Sequence, residues 1–145
     1  MSIDTLIPTA NNRVEENDGL DNAFEYVSQP DYTYKLNIEA ERIAGYVDEL
    51  EAYKQAIYKI INTERYDHII YSRNYGVELK DLFGQSIPYV IPEIERRIKE
   101  AIEQDDRTES VDSFEFDTSK RGVVHVTFKA TSVFGSVNIE TDVEV

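Results

Sequence analysis

The sequence has no cysteine, no tryptophan and only two histidines, and its bases are outnumbered by its acids, 15 Lys and Arg against 29 Asp and Glu. Each shortage removes a class of function. Without cysteine there is no disulfide, no thiolate metal site and no cysteine nucleophile, a composition suited to a reducing cytoplasm. With a formal net charge of −14, the chain lacks the basic surface that nucleic-acid phosphates or an anionic membrane would require. No apolar run approaches the roughly 20 residues of a membrane span. Met1 to Ala10 carries Asp4 and no positive charge, which does not fit a signal peptide. What remains is one domain's worth of chain, 145 residues with 41% hydrophobic, enough for one core. Its acidity suits solubility or a positively charged protein partner.

The chemistry that can be sought by spacing is also missing. His68 and His125 stand alone, outside any HExxH or HxH arrangement, and no GxSxG or phosphate-cradling glycine loop occurs. Carboxylates are abundant, but they fall on expected wet faces rather than in a dry pocket that would raise a pKa. Asp105-Asp106 beside Arg107 imitates a catalytic pair, yet a solvated helix exit with a local ion pair accounts for it. No catalytic, metal-ligating or cofactor-binding residue is assigned, and the chain is not expected to be an enzyme.

The organisation is in two parts. Residues 1–33 form an acidic arm: Met1 to Tyr34 holds seven acids and Arg13 alone, with Pro8, Gly19, Pro30 and several asparagines among sparse apolar residues. Such a segment buries too little to offset its ordering entropy, so it is expected to be flexible alone and ordered on a partner. Phe24, Tyr26 and Val27 are its candidate anchors.

Residues 34–145 are expected to form an α+β two-layer sandwich. Tyr34, Leu36 and Ile38 alternate with polar residues as a strand, Glu39-Ala40-Glu41 turns, and Arg42 to Val47 returns as the second strand of a hairpin. Asp48 caps a helix, with Glu51 as its capping-box partner, and Leu50, Tyr53, Ile57, Ile60 and Ile61 mark its apolar face from about Glu49 to Asn62. Asp67 to Ser72, with His68-Ile69-Ile70-Tyr71, is expected as a short strand, followed by a turn at Asn74-Tyr75-Gly76. Val77 to Phe83 predicts one or two helical turns closed by Gly84. Ile87, Ile91, Ile94, Ile98 and Ile102 give the strongest helical stripe, with Pro88 and Pro92 expected in its first turn or before it. Ile94 and Ile98 are expected against the sheet, near Leu50, Ile57, Val126 and Phe128. Three alternating runs then predict an antiparallel meander: Phe114 and Phe116; Val124 to Ala130; and Val137 to Val145. Seven tyrosines crowd the middle of the chain (Tyr46, Tyr53, Tyr58, Tyr66, Tyr71, Tyr75 and Tyr89), a pattern that fits either protein interfaces or core and rim packing.

Two stretches carry a family resemblance. Ala52 to Tyr66, AYKQAIYKIINTERY, followed by Asn74-Tyr75-Gly76-Val77-Glu78-Leu79, resembles the phage baseplate wedge and sheath-initiator family, in its PBSX-type prophage branch. The likeness extends over about Tyr34 to Val145. Asp106-Arg107 falls where many relatives carry Glu-Pro-Arg, so this chain departs from the pattern at the proline. The resemblance implies a non-enzymatic part of a contractile tail baseplate, assembled in the bacterial cytoplasm, that starts the sheath by offering it a β-sheet. It implies the tail sheath protein, other baseplate wedge proteins and tube or hub proteins as partners, without nucleic acid, membrane or cofactor. The lysozyme-like label once attached to the family finds no matching chemistry in these residues. The expected partner-binding positions are the last strand (Val137, Asn138, Ile139, Glu140, Thr141, Asp142, Val143 and Glu144) together with Arg107. A cytoplasmic adaptor built on the same fold is the alternative.

Overall fold

The computed structural model describes residues 32–145, and the arm with Phe24, Tyr26 and Val27 lies outside them. A hairpin comes first, β1 (Thr33–Asn37) and β2 (Arg42–Val47). Helix α1 (Glu49–Ile61) follows, then a long connection with a single 3-10 turn at Lys80–Leu82, then α2 (Ile87–Glu103). Three ten-residue strands complete the chain: β3 (Thr108–Asp117), β4 (Val123–Ser132) and β5 (Gly135–Glu144). They pair antiparallel in the order β3-β4-β5, and β1-β2 is a separate two-stranded sheet. This is the α+β architecture expected, with the C-terminal meander in place.

The core lies between the two helices and the inner face of the meander. Strand β4 alternates almost perfectly, with Val124, Val126, Phe128 and Ala130 buried on one face. Burial of this period-two set against helices is what fixes its register. From α1 come Tyr53, Ile57, Ile60 and Ile61; from α2 come Val90, Ile94, Ile98, Ala101 and Ile102. Ile94 and Ile98 are fully buried as expected, and Leu50 packs at the rim.

Several local expectations need correction. First, Asp67 to Ser72 is not a strand but a chain of turns. His-Ile-Ile-Tyr has high β propensity, but propensity needs a neighbouring strand to pair with, and none adjoins it among the described residues. Second, the isoleucine stripe drifts: Ile87 is exposed and Ile91 half-buried, while Val90 takes the core position one turn before Ile94. Third, Pro88 is the second residue of α2 but Pro92 is the sixth, inside the helix. Its missing N–H forfeits a bond to the Pro88 carbonyl, and both residues are on the exposed side, where that carbonyl is open to solvent. The helical turns expected over Val77 to Phe83 shrink to the one 3-10 turn, closed at Gly84 with φ +79°. Asp48 does cap α1, through the Glu49 N–H at 2.8 Å rather than through a reciprocal bond with Glu51.

Candidate interaction surface

Among the described residues the last strand is an edge. Strand β5 pairs with β4 through an unbroken one-to-one register from Ser132↔Gly135 to Val123↔Glu144. The Val145 N–H donates to the Gly122 carbonyl at 3.0 Å, which sets the phase of the ladder. Odd-numbered β5 residues therefore bond to β4, and Ser136, Asn138, Glu140, Asp142 and Glu144 turn their N–H and C=O groups outward. Those same residues hold their side chains on the wet face, while Val137, Ile139, Thr141 and Val143 are buried or half-buried on the inner one. The edge thus combines open backbone groups with a row of three carboxylates.

Strand β3, the opposite edge, is built differently. Its register with β4 slips between Thr108 and Ser110 and again between Asp112 and Glu115, and Ser113 sits at φ +57°. A bulge of this kind bends the strand and interrupts the repeat that an added strand would need.

The wet face between the edges is acidic with a basic centre line. On it His125 of β4 lies opposite Asp142 of β5, with Nδ1 and Oδ1 2.6 Å apart. That hydrogen bond, helped by the charges of Asp142, Glu140 and Asp117, raises the imidazole above its ordinary pKa. Lys129 is flanked by Asn138 on one side and Asp112 on the other.

Arg107 does not lie along the β5 edge. It precedes β3, and its carbonyl accepts the Val133 N–H (3.1 Å) from the β4–β5 turn. Its guanidinium grips Asp105 in a two-point contact, Nε to Oδ1 at 2.8 Å and Nη2 to Oδ2 at 2.6 Å, and lies 5.7 Å from the centre of the Tyr53 ring. Burial pushes the Asp105 carboxyl up, but the side-chain and backbone hydrogen bonds from Arg107 outweigh it and hold the pKa below the ordinary range. The ion pair expected at the helix exit is therefore real but half-buried, and it falls to Asp105, while Asp106 is exposed. Tyr53 joins the same junction through its hydroxyl, 2.9 Å from Thr108 Oγ1.

Sequence reasoning missed the connection between the helices. Its ends are pinned together: Arg65 N–H donates to Val77 O (3.1 Å) and Val77 N–H to Thr63 O (3.0 Å). Gly76 makes this possible, since a Cβ there would stand 2.5 Å from the Thr63 carbonyl oxygen, and its φ is +90°. Arg65 is largely buried, donating to Gly76 O and reaching Glu100 on α2 at 3.3 Å. Glu64 accepts from the Leu79 and Lys80 amides. The glycine and the flanking charges were visible in the sequence; their convergence was not.

Comparison with known proteins decides the family. Residues 29–135 match the contractile injection system sheath initiator family. The chain belongs to that family. It is also 38% identical over 119 residues to the phage-like element PBSX protein XkdS of Bacillus subtilis (strain 168), covering 79% of this chain and 83% of that protein. The PBSX-type resemblance is thereby established, and the protein is a structural component of a contractile, phage-tail-like particle. The family match begins ahead of β1 and stops at the first residue of β5, so the acidic edge lies just beyond it. No described helix is long and apolar enough to cross a membrane.

Proposed function

We propose that the chain starts sheath assembly by strand addition at β5, with an extended segment of a tail sheath subunit as the first added strand. The observation that carries this reading is the contrast between the two edges of one sheet: β5 is long and unbroken, with five residues turning their backbone groups outward, whereas β3 is bulged. Backbone pairing supplies affinity in such a contact and alternate side chains supply register. Glu140, Asp142 and Glu144 repel a second acidic β5 and so guard the edge against self-pairing, while admitting a basic or neutral strand. Other baseplate wedge proteins and tube or hub proteins are the neighbours that would hold the chain in place. Arg107 acts in this reading from inside, by fixing the β3 start against the β4–β5 turn. No catalytic step is part of it, and purified protein is expected to leave peptidoglycan unhydrolysed.

The test uses proline, which removes one N–H and is tolerated only where that donor is unbonded. Asn138→Pro or Glu140→Pro should fold, because both N–H groups point outward, and should lose sheath nucleation on baseplates. Ile139→Pro, whose N–H faces β4, should instead unfold the sheet. A folded Glu140→Pro protein that nucleates sheath at the normal rate would remove β5 as the docking edge.

A further inference from the structure

We propose that the turn at Ile69-Ile70 is a second, independent docking point: a preformed apolar plug that enters an aliphatic cleft with an acidic rim on another protein of the particle. The Tyr71 N–H donates to the His68 carbonyl at 3.2 Å, closing a four-residue turn with the two isoleucines at its centre. Their relative exposures are 101% and 86%, higher than those of the other exposed large hydrophobic residues among the described ones. Central turn positions favour Pro, Gly, Asn and Asp, each for a conformational reason that β-branched isoleucine does not share. The fold gains no burial from either side chain, so their presence is unexplained by stability.

The shape of the plug is set by the chain itself. Tyr71 stacks on Tyr75 with ring centres 4.5 Å apart, and His68 and Tyr71 meet in a T-shaped pair. Lys80 pairs with Asp67, and the Gly76–Thr63 approach closes the base. A turn already held in its bound form loses little freedom on docking, which favours its use as an anchor.

Charge narrows the occupant. Arg73, three residues past Ile70, is exposed, and no hydrogen bond or ion pair engages its side chain among the described residues. It suits a carboxylate beside the cleft. An anionic bilayer is disfavoured by the net charge of −14, and a second copy of this chain is separated from a different particle protein by the cross-link below.

A benzophenone amino acid in place of Ile69, in the full chain within assembled particles, tests the assignment. Irradiation should cross-link it to one segment of a different particle protein, in aliphatic surroundings with Asp or Glu nearby. Cross-links to another copy of this chain, to lipid, or to nothing would overturn it. The double variant Ile69→Asp, Ile70→Asp should keep its thermal midpoint, since both side chains are outside the core, yet enter particles at least tenfold less. Arg73→Glu should reduce entry several-fold and recover when the cross-linked partner's carboxylate is changed to lysine. Normal incorporation of the double variant also overturns the proposal. The outcome is separable from the β5 reading, because Glu140→Pro should enter particles normally and fail only in starting sheath.

Discussion

The two sheets carry similar alternating patterns and are held in opposite ways. The meander buries its apolar face under two helices, with Val124, Val126, Phe128 and Ala130 essentially inaccessible. In the β1–β2 hairpin Tyr34, Ile43 and Tyr46 remain more than half exposed. The hairpin is tied instead by polar contacts: the Gln55 side chain of α1 accepts from Leu36 N–H at 2.7 Å and donates to Tyr34 O at 2.8 Å, standing in for a missing strand. Tyr46 adds stacking against Tyr34 and Tyr32, at 5.0 and 4.8 Å between ring centres. The linking loop combines the two rules: Arg65 and Glu64 hydrogen-bond its base beside a close glycine contact, while Val77 and Leu82 are buried in the core. Period-two alternation thus identifies a strand but does not say what covers it, and here only one of the two patterns is spent on the core.

That contrast can be broken at its strong end first. Ile98→Ala should destabilise the whole domain by ~2–5 kcal/mol, the range for deleting a fully buried large aliphatic, measured by denaturant unfolding. An effect within roughly 0.5 kcal/mol would mean the helix stripe does not support the sheet. Gly76→Ala comes next. A side chain at φ +90° that meets the Thr63 carbonyl should cost ~1–3 kcal/mol, with hydrogen exchange quickening at Arg65 and Val77 before it does in β4. Gln55→Ala should cost about 1 kcal/mol or less, the net worth of the hydrogen bonds lost. Its signature is local, faster exchange of the Leu36 amide with β3 to β5 unchanged; uniform loosening would show that the hairpin belongs to the core after all.

The smallest effect is electrostatic. His125 has a folded pKa raised by its Asp142 hydrogen bond. The stability it contributes is therefore fully present below the ordinary histidine value near 6.5 and is lost as pH rises through the higher folded value. Asp142→Asn should bring the imidazole titration, followed by NMR, down toward the ordinary value and flatten that pH dependence. An unmoved titration would mean the pair does not form in solution. Asp105 works in the opposite direction: its depressed pKa gives stability above the ordinary aspartate range that disappears as pH falls through the folded value.

Most of the fold was legible because its elements are long and periodic. The β4 and β5 alternations and the Ile94–Ile98–Ile102 spacing leave one way to bury an apolar face. The legible part of the candidate site was the alternation and acidity of β5; its position at an edge depends on strand order, which no local pattern encodes. His68 to Tyr71 was misjudged because strong β propensity and strong partner-binding character use the same residues. The role of Gln55 was hidden for a different reason, since it acts across the fold on residues brought near only by packing; the Arg107–Asp105 pair is local, and packing adds the contacts of Arg107 with Tyr53 and Val133.

The pinched base at Thr63 and Gly76 has a consequence for how this protein can change. Two strands of chain already joined by hydrogen bonds make the length between them almost a free variable, because closing a loop twice as long costs only about 0.6 kcal/mol more. The segment from Tyr66 to Asn74, inside that base, behaves as a cassette: it can be lengthened, shortened or rewritten while α1, α2 and the meander keep their packing. A lineage of such particles can retarget this turn to a new neighbour without redesigning the scaffold that presents it.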